Sequence, residues 1–575
     1  MKTVVKTLQR REEAAQPTEL KGLHPLLARL YAARGIEDLQ QVSYSLEHLA
    51  DYRALKNIDV AVQRLALALK LQQSILIVGD YDADGATSTA LAIRCLTKMG
   101  ATKLDYLLPN RFDFGYGLTP EIVDVAARSN PDLIITVDNG ISSVEGVERA
   151  NQHGIEVLVT DHHLPPETVP NAFAIVNPNQ EGDEFSSKSL AGVGVIFYLL
   201  AALRRHLRSA NWFEQQNLAE PSMADYLDLV ALGTVADVVP LDQNNRILVE
   251  QGLRRIRSGK AVPGILALLR LAKKNHRKTI ATDLGFTVGP RLNAAGRLDD
   301  MSIGIECLLT DDQTLADQYA GELDAYNRQR REVEQDMQTE ALALCEQIEL
   351  DTDELPWGLC LNSKSWHQGV VGLVASRLKE KIHRPVIAFA PTEEGKTWKG
   401  SGRSIPGLHL RDALARMNSR QPDLIDKFGG HAMAAGLSIQ AEKLPEFAKI
   451  FAATVKEMTP AWRLQPIIVS DGEVKAAEMT IQTAHMLRNC GPWGQLFPEP
   501  VFDGEFTIAG KQDLRGGFTK FRLQSDAAPV VDALLFEVLE SLPEPGDKIH
   551  IAYQLSVNDF QGTESLQIII KSLFN

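Results

Sequence analysis

Short apolar runs alternate with longer amphipathic segments between about residue 58 and residue 240. The apolar runs predict strands at Ser74–Val78, Lys103–Leu108, Leu133–Val137, Glu156–Thr160 and Ala174–Val176. Between them the helical periodicity predicts helices that include Thr87–Met99, Pro120–Arg128 and Val144–His153. This alternation is typical of a parallel sheet covered by helices on both faces, and such sheets bind ligands beyond the carboxyl ends of their strands.

The rest of the chain changes character in steps. Residues 1–57 predict short helices and loops, the polar stretch 311–350 predicts one long helix, and 351–460 predicts a second α/β segment. Beyond 461, five β-like runs predict a small barrel such as an OB-fold. These runs are Val501–Ile508, Phe518–Leu523, Val530–Phe536, Ile549–Val557 and Ser565–Ile570. We therefore expect a multi-domain α/β protein with domains at 1–57, 58–310, 311–350, 351–460 and 461–575.

Composition limits the class of protein. With 575 residues, 44% of them hydrophobic and 23% charged, the chain resembles an ordinary soluble protein of several domains. No apolar run is long enough to cross a membrane and the N-terminus is polar, so we expect a cytoplasmic protein without a membrane partner. Five scattered cysteines form no disulfide framework and no zinc-finger spacing.

The formal net charge of −14 argues against nucleic-acid binding by the whole surface. One stretch departs from this average, because residues 254–278 carry many arginines and lysines and no acidic residue. Two interpretations stay open for this stretch: a solvated helix face, or a wall that follows the phosphates of a nucleic acid.

The most informative motif is Asp80-Tyr81-Asp82-Ala83-Asp84-Gly85, directly after the first predicted strand. Three carboxylates so close together repel one another, which indicates a divalent metal or another cation between them. The motif also resembles the start of an EF-hand calcium loop, but the twelfth position is Leu91 rather than glutamate, and a strand precedes it instead of a helix. A solvated acidic turn is the remaining alternative.

Three later apolar runs also end in metal-binding residue types. Asp138 follows Leu133–Val137, the triplet Asp161-His162-His163 follows Glu156–Thr160, and Asp237 follows a run from Leu229 that we take for a further strand. Aspartate and histidine together suit Mg, Mn, Zn or Fe. Four such ends in one sheet predict a two-metal site for phosphoryl transfer.

The order GDYDADG, TVDNG, TDHH and ALGTVAD resembles the four motifs of the DHH phosphoesterase superfamily. The resemblance covers essentially the whole chain, and length and later motifs are similar to one member in particular, a bacterial 5′→3′ exonuclease for single-stranded DNA. It implies a parallel-sheet DHH domain, a long connecting helix, a smaller DHH-associated domain and a C-terminal OB-fold that binds nucleic acid.

The resemblance also implies functional residues. Two Mn or Mg ions would be bound by Asp82, Asp84, Asp138, His162 and Asp237, with Asp138 as the bridge. Many relatives have a histidine where this chain has Val78, and Asp80 is the plausible substitute ligand. Asp161 would support the ligands from behind, and His163 would face the scissile phosphate.

Four further segments are expected to bind substrate. Gly400–Ser404 and Phe428–Gly436 resemble phosphate-binding signatures of the DHH-associated domain, and tight turns are the alternative for each. Arg111–Gly117 combines a cation, glycines and aromatic rings that stack on bases or pack in a core. Gly289–Arg297 predicts a loop that contacts phosphates. The side chains concerned are those of Arg111, Tyr116, Arg291, Arg297, Ser401, Arg403 and His431.

The resemblance implies hydrolysis of single-stranded DNA from its 5′ end in DNA repair and recombination, and a single-strand-binding protein and a helicase fit it as partners. A cleft built within one chain makes a monomer the expected state. Two other functions stay open. A DHH phosphoesterase for small substrates, such as a pyrophosphatase or oligonucleotide nuclease, would need no C-terminal barrel. A non-catalytic DNA-binding relative would be expected to lose metal ligands, whereas this chain retains them.

Overall fold

The computed structural model describes residues 6–12, 17–109, 117–352, 355–392, 395–525, 529–537, 539, 541–560 and 562–574. The chain forms two compact units. The first comprises Ala14–Asn327 and Met486–Glu499, and the second comprises Met1–Glu13, Arg328–His485 and Pro500–Asn575. Among the described residues, no helix has both the length and the apolar character needed to cross a membrane.

A five-stranded parallel sheet lies at the centre of the first unit, as predicted. Its strands are ordered Leu104–Leu107, Ile75–Val78, Leu133–Val137, Glu156–Thr160 and Ala174–Val176. Ile75 and Ile77 pack into the core on one face, whereas Leu76 and Val78 pack into the core on the other. Helices cover both faces, so the inner strands are apolar at nearly every position.

Helices alternate with the strands along the chain in this unit. The predicted helices are observed at Ala83–Lys98, Pro120–Ala126 and Val144–Gln152. The others are Pro25–Ala32, Ile58–Leu71, Gly192–Ser209, Trp212–Gln215, Leu227–Ala236, Gln243–Arg257, Pro263–Leu271, Ala281–Asp283, Gly289–Leu298 and Ser302–Leu309.

Two sequence predictions about this unit are wrong. The apolar run before Asp237 is the helix Leu227–Ala236 and not a strand. The helix is almost completely buried, and a short run that is apolar throughout fits a buried helix as well as a strand. The segment Gly289–Arg297 is helical and not a loop, because Pro290 lies in the first turn, where a missing amide hydrogen costs nothing.

The second unit contains a five-stranded mixed sheet with three helices. The strands are ordered Lys427–Gly430, Ala434–Gln440, Thr397–Arg403, Val386–Pro391 and Leu359–Asn362, and only the last two are parallel. The helices are Val371–Ile382, Leu410–Arg420 and Leu444–Met458. The predicted long helix is observed at Gln313–Thr352.

The C-terminal strands close into the predicted barrel. Around it lie Phe502–Asp513, Thr519–Gln524, Val531–Leu535, Thr563–Phe574 and Lys548–Phe560. A short helix, Ile481–Asn489, precedes the barrel in the chain. The N-terminal strand Thr7–Arg10 pairs in parallel with Ile467–Ser470.

Candidate metal centre and substrate-binding residues

The acidic turn begins where the strand Ile75–Val78 ends. Asp82 caps the helix Ala83–Lys98, because its Oδ1 accepts hydrogen bonds from the amides of Asp84 (2.9 Å) and Gly85 (3.0 Å). A Cβ atom at position 85 would lie 2.5 Å from the carbonyl oxygen of Asp80, so the turn closes only around a glycine. The turn that the sequence marked as acidic is therefore also the start of a helix.

Asp84 connects this turn to a second helix. Its Oδ2 accepts a hydrogen bond of 2.7 Å from the amide of Gly192, and its Oδ1 accepts one of 2.9 Å from Val193, at the start of Gly192–Ser209. The helix N-terminus favours the ionised carboxylate. Burial and the neighbouring carboxylates have the opposite and larger effect, and they raise the pKa of Asp84 well above its ordinary value.

Asp138 lies at the end of the next strand in an unusual backbone conformation. Its φ angle is +63°, in the left-handed region, and its amide donates to the carbonyl of Thr160 at 3.1 Å. The side chain is buried, and burial and the charges of Asp84 and Asp82 raise its pKa well above the ordinary value. A Cβ atom on Gly192 would lie 2.6 Å from the Cβ of Asp138, so helix and carboxylate approach only because residue 192 is glycine.

Asp161 organises the turn that carries both histidines. Its Oδ1 accepts from the amides of His162 (2.7 Å) and His163 (3.1 Å) and lies 2.7 Å from Nδ1 of His163, while its Oδ2 accepts from the amide of Ile141 (2.9 Å). Burial alone would raise the pKa of Asp161, but the hydrogen bond from His163 and the charge of its ring lower it. Burial disfavours the charged ring of His163, yet its bond to Asp161 raises its pKa to about 9.

His162 has the opposite electrostatic state. Its Nε2 atom lies 3.1 Å from Oδ1 of Asp138 and 3.5 Å from Oδ2 of Asp237, and it is buried without a hydrogen-bond partner among the described residues. Burial lowers the pKa of His162, so the ring is neutral and a nitrogen lone pair can face the carboxylates. An imidazole in this state among carboxylates fits a divalent metal ion.

Asp237 arrives from a helix end. It follows the last turn of Leu227–Ala236, and burial raises its pKa although His162 opposes the rise. A Cβ atom on Gly233, one turn earlier, would lie 2.7 Å from Oδ1 of Asp84. The helix therefore packs directly onto the acidic group.

Three sets of side chains place their ligand atoms within 4.8 Å of one another. The sets are Asp80 with Asp82 and Asp138, Asp138 with His162 and His163, and Asp84 with His162 and Asp237. Asp138 and His162 each belong to two sets, which fits two neighbouring ions that share ligands. The structure thus brings together all the ligands that the sequence predicts, including Asp80 beside the buried Val78.

Residues that the sequence analysis missed brace this centre. Oδ1 of Asn293 accepts a hydrogen bond of 2.7 Å from the amide of Ala83, and a Cβ atom on Gly296 would lie 1.9 Å from the carbonyl oxygen of Tyr81. The helix Gly289–Leu298 therefore supports the acidic turn. Asn293 and Gly296 lie in the segment Gly289–Arg297, which the sequence analysis selected for its two arginines. The motif was therefore noticed, but not for the residues that support the turn.

The histidine turn has a similar brace. Asn177 donates to the carbonyl of His163 at 2.9 Å, and Asn179 donates to the carbonyl of His162 at 2.6 Å. Both asparagines follow the edge strand Ala174–Val176. An Asn-Pro-Asn sequence after a predicted strand was the signal that could have identified them.

In the second unit, Ser401 and Arg403 lie on the strand Thr397–Arg403 and not on a tight turn. The guanidinium of Arg403 donates to Oγ of Ser401 at 3.1 Å. A Cβ atom on Gly372, in the first turn of Val371–Ile382, would lie 2.9 Å from each of these side chains. A helix N-terminus, a hydroxyl and a guanidinium are thus adjacent, an arrangement that suits a phosphate.

His431 lies in the turn between the strands Lys427–Gly430 and Ala434–Gln440. Residue 434, three positions later, pairs with Arg403 in the sheet register. His431 is therefore at the same end of the sheet as Arg403.

The remaining predicted contacts differ in their surroundings. Arg291 is largely buried in an ion pair of 2.9 Å with Asp324, and Arg297 is half-buried on the same helix. Arg111 and Tyr116 lie outside the described residues. Several cations of the basic stretch pair with acidic residues elsewhere in the sequence, which favours a solvated helix face over a wall that follows phosphates. These pairs join Arg254 and Arg257 to Glu250, Arg255 to Asp225, Arg270 to Asp317 and Lys274 to Asp283.

A parallel sheet whose edge gathers aspartates and an Asp-His-His turn defines a protein of the DHH class. The model of the DHH family N-terminal domain matches residues 74–234, that of the DHHA1 domain matches 357–457, and that of the RecJ OB domain matches 470–572.

The chain is also similar to curated proteins over nearly its whole length. It is 53% identical to the single-stranded-DNA-specific exonuclease RecJ of Dickeya dadantii, over 99% of both chains, and 52% identical to that of Escherichia coli, over 98% of both. It therefore belongs to the RecJ family. A crystal structure of RecJ in complex with Mn²⁺ from Thermus thermophilus aligns with a TM-score of 0.81 at 28% identity, covering 99% of this chain and 80% of that one.

Proposed function

We propose that this chain is a metal-dependent exonuclease for single-stranded DNA that hydrolyses from the 5′ end, releases mononucleotides and acts in DNA repair and recombination. The observation that carries the proposal is the overlap of three potential ligand sets at Asp138 and His162. The names of the relatives in Dickeya dadantii and Escherichia coli support the substrate. The 5′→3′ polarity is proposed by analogy with that family.

The metal ions in this proposal are two Mn or Mg ions, as in the Mn²⁺ and Mg²⁺ complexes of the Thermus thermophilus relative. The proposed ligands are Asp80, Asp82, Asp84, Asp138, His162 and Asp237. When bound, such ions supply an activated water and neutralise charge on the phosphoryl oxygens. The buried Nε2 of His162, which has no hydrogen-bond partner among the described residues, supports this ligand set.

Two residues of the histidine turn have proposed functions besides ligation. Asp161 holds the backbone of the turn through the amides of Ile141, His162 and His163, and it orients the imidazole ring of His163 through Nδ1. His163 carries a proton at neutral pH, because its pKa is about 9, and its Nε2 can donate a hydrogen bond to a phosphoryl oxygen. Its charge would then oppose the charge that develops on the phosphate.

Substrate binding is proposed for both units. Ser401, Arg403 and the N-terminus of Val371–Ile382 would hold a phosphate, with His431 nearby. Arg297, Arg111 and Tyr116 are proposed contacts to the strand. Arg291 would contact the strand when a phosphate displaces Asp324 from its guanidinium.

We propose domain boundaries at 57, 310, 350 and 460. We also propose that the protein is a monomer in the cytoplasm and that its partners are a single-strand-binding protein and a helicase. The closed C-terminal barrel argues against a small-substrate phosphoesterase, which would not need it. The complete set of carboxylates and histidines argues against a non-catalytic relative.

The test is digestion of one sequence as a single strand and as a duplex, each labelled at either end, with Mn²⁺, Mg²⁺ or a chelator. We expect mononucleotides from the 5′ end of the single strand, with either metal and not with chelator. Equal hydrolysis of the duplex, or activity in chelator, would contradict the proposal. A dinucleotide hydrolysed faster than a long strand would favour the small-substrate alternative.

A further inference from the structure

One face of the mixed sheet in the second unit carries a row of two lysines. In the register of three neighbouring strands, Ser438 pairs with Lys427 on one side and with Lys399 on the other. Side chains of paired residues emerge on the same face of a sheet. Two ammonium groups therefore flank one hydroxyl, and the two lysine Cα atoms are about 10 Å apart because neighbouring strands are about 4.8 Å apart.

These lysines differ from the other cations of the same domain. Neither Lys399 nor Lys427 has a side-chain hydrogen bond or an ion pair with any described residue. On the helix Leu410–Arg420, by contrast, Arg416 and Arg420 both pair with Glu457. The carboxylate nearest to the row in sequence, that of Asp426, accepts a hydrogen bond of 2.7 Å from the amide of Gln440. Lys399 and Lys427 are thus two ammonium groups without an ion pair among the described residues.

The row lies on the same face of the sheet as the candidate phosphate site. Lys399, Ser401 and Arg403 alternate along one strand, so they share a face, and Lys399 is four residues from Arg403. At about 3.4 Å per residue the two cations are attached about 13 Å apart. A strand with several phosphates can contact both ends of this path at once.

The surface between the two ends suits a phosphodiester backbone better than a peptide. Ser401 pairs with Gly436, which pairs with Gly429, and both glycines are exposed. Polar side chains and exposed glycines line this part of the surface, so recognition would rest on charge and hydrogen bonds. Binding of this kind depends strongly on salt and weakly on sequence.

We propose that Lys399 and Lys427, with Ser438 between them, form a second phosphate-binding row for a nucleic-acid strand that also contacts Ser401 and Arg403. This row extends the substrate path along the mixed sheet and rests on the proposed function for the nature of its ligand. It would contribute to the affinity for strands and not to the affinity for single nucleotides.

The test uses Lys399→Gln, Lys427→Gln and the double variant, with Lys449→Gln as the matched control. Lys449 is exposed on the helix Leu444–Met458, which packs against the opposite face of the sheet. Affinity for a phosphorothioate-linked oligothymidylate is measured with Mn²⁺ over a range of salt concentrations. Competition by thymidine 5′-monophosphate is measured in parallel.

Each single variant is expected to lower the slope of log affinity against log salt by about 0.7, and the double variant by about 1.4, because each lost phosphate contact contributes about that much for single strands. Lys449→Gln should keep the slope, and all variants should keep the affinity for the mononucleotide. A double variant with the slope and affinity of the unmodified protein would overturn the proposal, as would a weaker affinity for the mononucleotide. Failure of the unmodified protein to hydrolyse an ordinary strand would instead refute the proposed function.

Discussion

The amide of Gly192 donates a 2.7 Å hydrogen bond to Oδ2 of Asp84, across 108 residues of sequence. The same glycine leaves room for Asp138, whose Cβ would lie 2.6 Å from a Cβ atom added at position 192. One residue thus fixes the positions of two proposed metal ligands. The centre therefore needs a residue without a Cβ atom at position 192.

We expect Gly192→Ala to displace Asp138 and to lower hydrolysis by at least tenfold, with a loss of about 1–3 kcal/mol of stability from overpacking. Steady-state kinetics and thermal unfolding with Mn²⁺ check this. The control is Gly321→Ala, because residue 321 is helical and a Cβ atom there has no neighbour within 4 Å. That change should leave activity intact and raise stability by about 0.5–1 kcal/mol. Unchanged activity in Gly192→Ala would show that the close contact is not required.

Asp82 is expected to have two separable effects. Asp82→Ala removes both a proposed ligand and a helix cap, so hydrolysis should be abolished and stability should fall by about 0.5–2 kcal/mol. Asp82→Asn retains an oxygen that can accept the capping bonds, so it should lose hydrolysis while it keeps most of the stability. His162→Ala should also abolish hydrolysis without unfolding the chain. Full activity in Asp82→Ala or His162→Ala with metal present would refute the assigned site.

Metal should stabilise the folded protein more at pH 8 than at pH 5. The pKa values of Asp84, Asp138 and Asp237 are raised in the folded state without metal, mainly by burial. The folded protein then binds more protons than the unfolded chain, whose aspartates titrate near about 3.9, so its stability falls as the pH rises from there through the raised values. Bound cations remove this penalty, because they favour the ionised carboxylates.

The measurement is the melting temperature with Mn²⁺ and with chelator at both pH values. The difference between the two melting temperatures should be greater at pH 8. An equal difference at both values would show that the carboxylates are not protonated in the metal-free protein.

Asn293→Ala is expected to lower hydrolysis by about 10–100-fold, as is typical for residues that orient metal ligands. Its side chain holds the amide of Ala83, next to Asp82. The loss should appear in kcat and in metal affinity, and binding of a phosphorothioate strand should change little. A variant with normal metal affinity and kcat would show that the acidic turn needs no brace.

Hydrolysis is expected to decline above about pH 9, where His163 loses its proton. Asp161→Asn removes the carboxylate that raises this pKa, so the decline should move to lower pH. The pH dependence of kcat at saturating Mn²⁺ checks this. Asn177→Ala is the control, because it loosens the same turn through the carbonyl of His163 without changing charge. An identical profile in Asp161→Asn would show that the proton on His163 is not used.

The sheet was predictable because its inner strands are buried on both faces. Such strands are nearly continuous apolar runs, and Gly79, Asp138 or Asp161 follows directly after the last apolar or threonine residue of each. Observed and predicted strand bounds accordingly differ by no more than one residue. Burial also explains why the helix Leu227–Ala236 was wrongly predicted as a strand. Burial on all sides removes the periodicity that distinguishes a helix from a strand.

The proposed ligands were predictable from strand ends and from a motif resemblance, whereas their supports were not. Asn293 contacts Ala83 across 210 residues, and Gly192 contacts Asp84 across 108. Local sequence contains no information about such contacts. Gly289–Leu298 shows the limit most clearly, because its arginines suggested a loop while its asparagine and glycine support the acidic turn.

The left-handed backbone of Asp138 separates two kinds of selection at one position. Besides glycine, asparagine and aspartate adopt this conformation most readily. A library randomised at position 138 and sorted only for folded protein should therefore enrich glycine, asparagine and aspartate, whereas sorting for hydrolysis should leave aspartate alone. The residues accepted at position 138 in the two sorts would show separately what the backbone conformation requires and what hydrolysis requires.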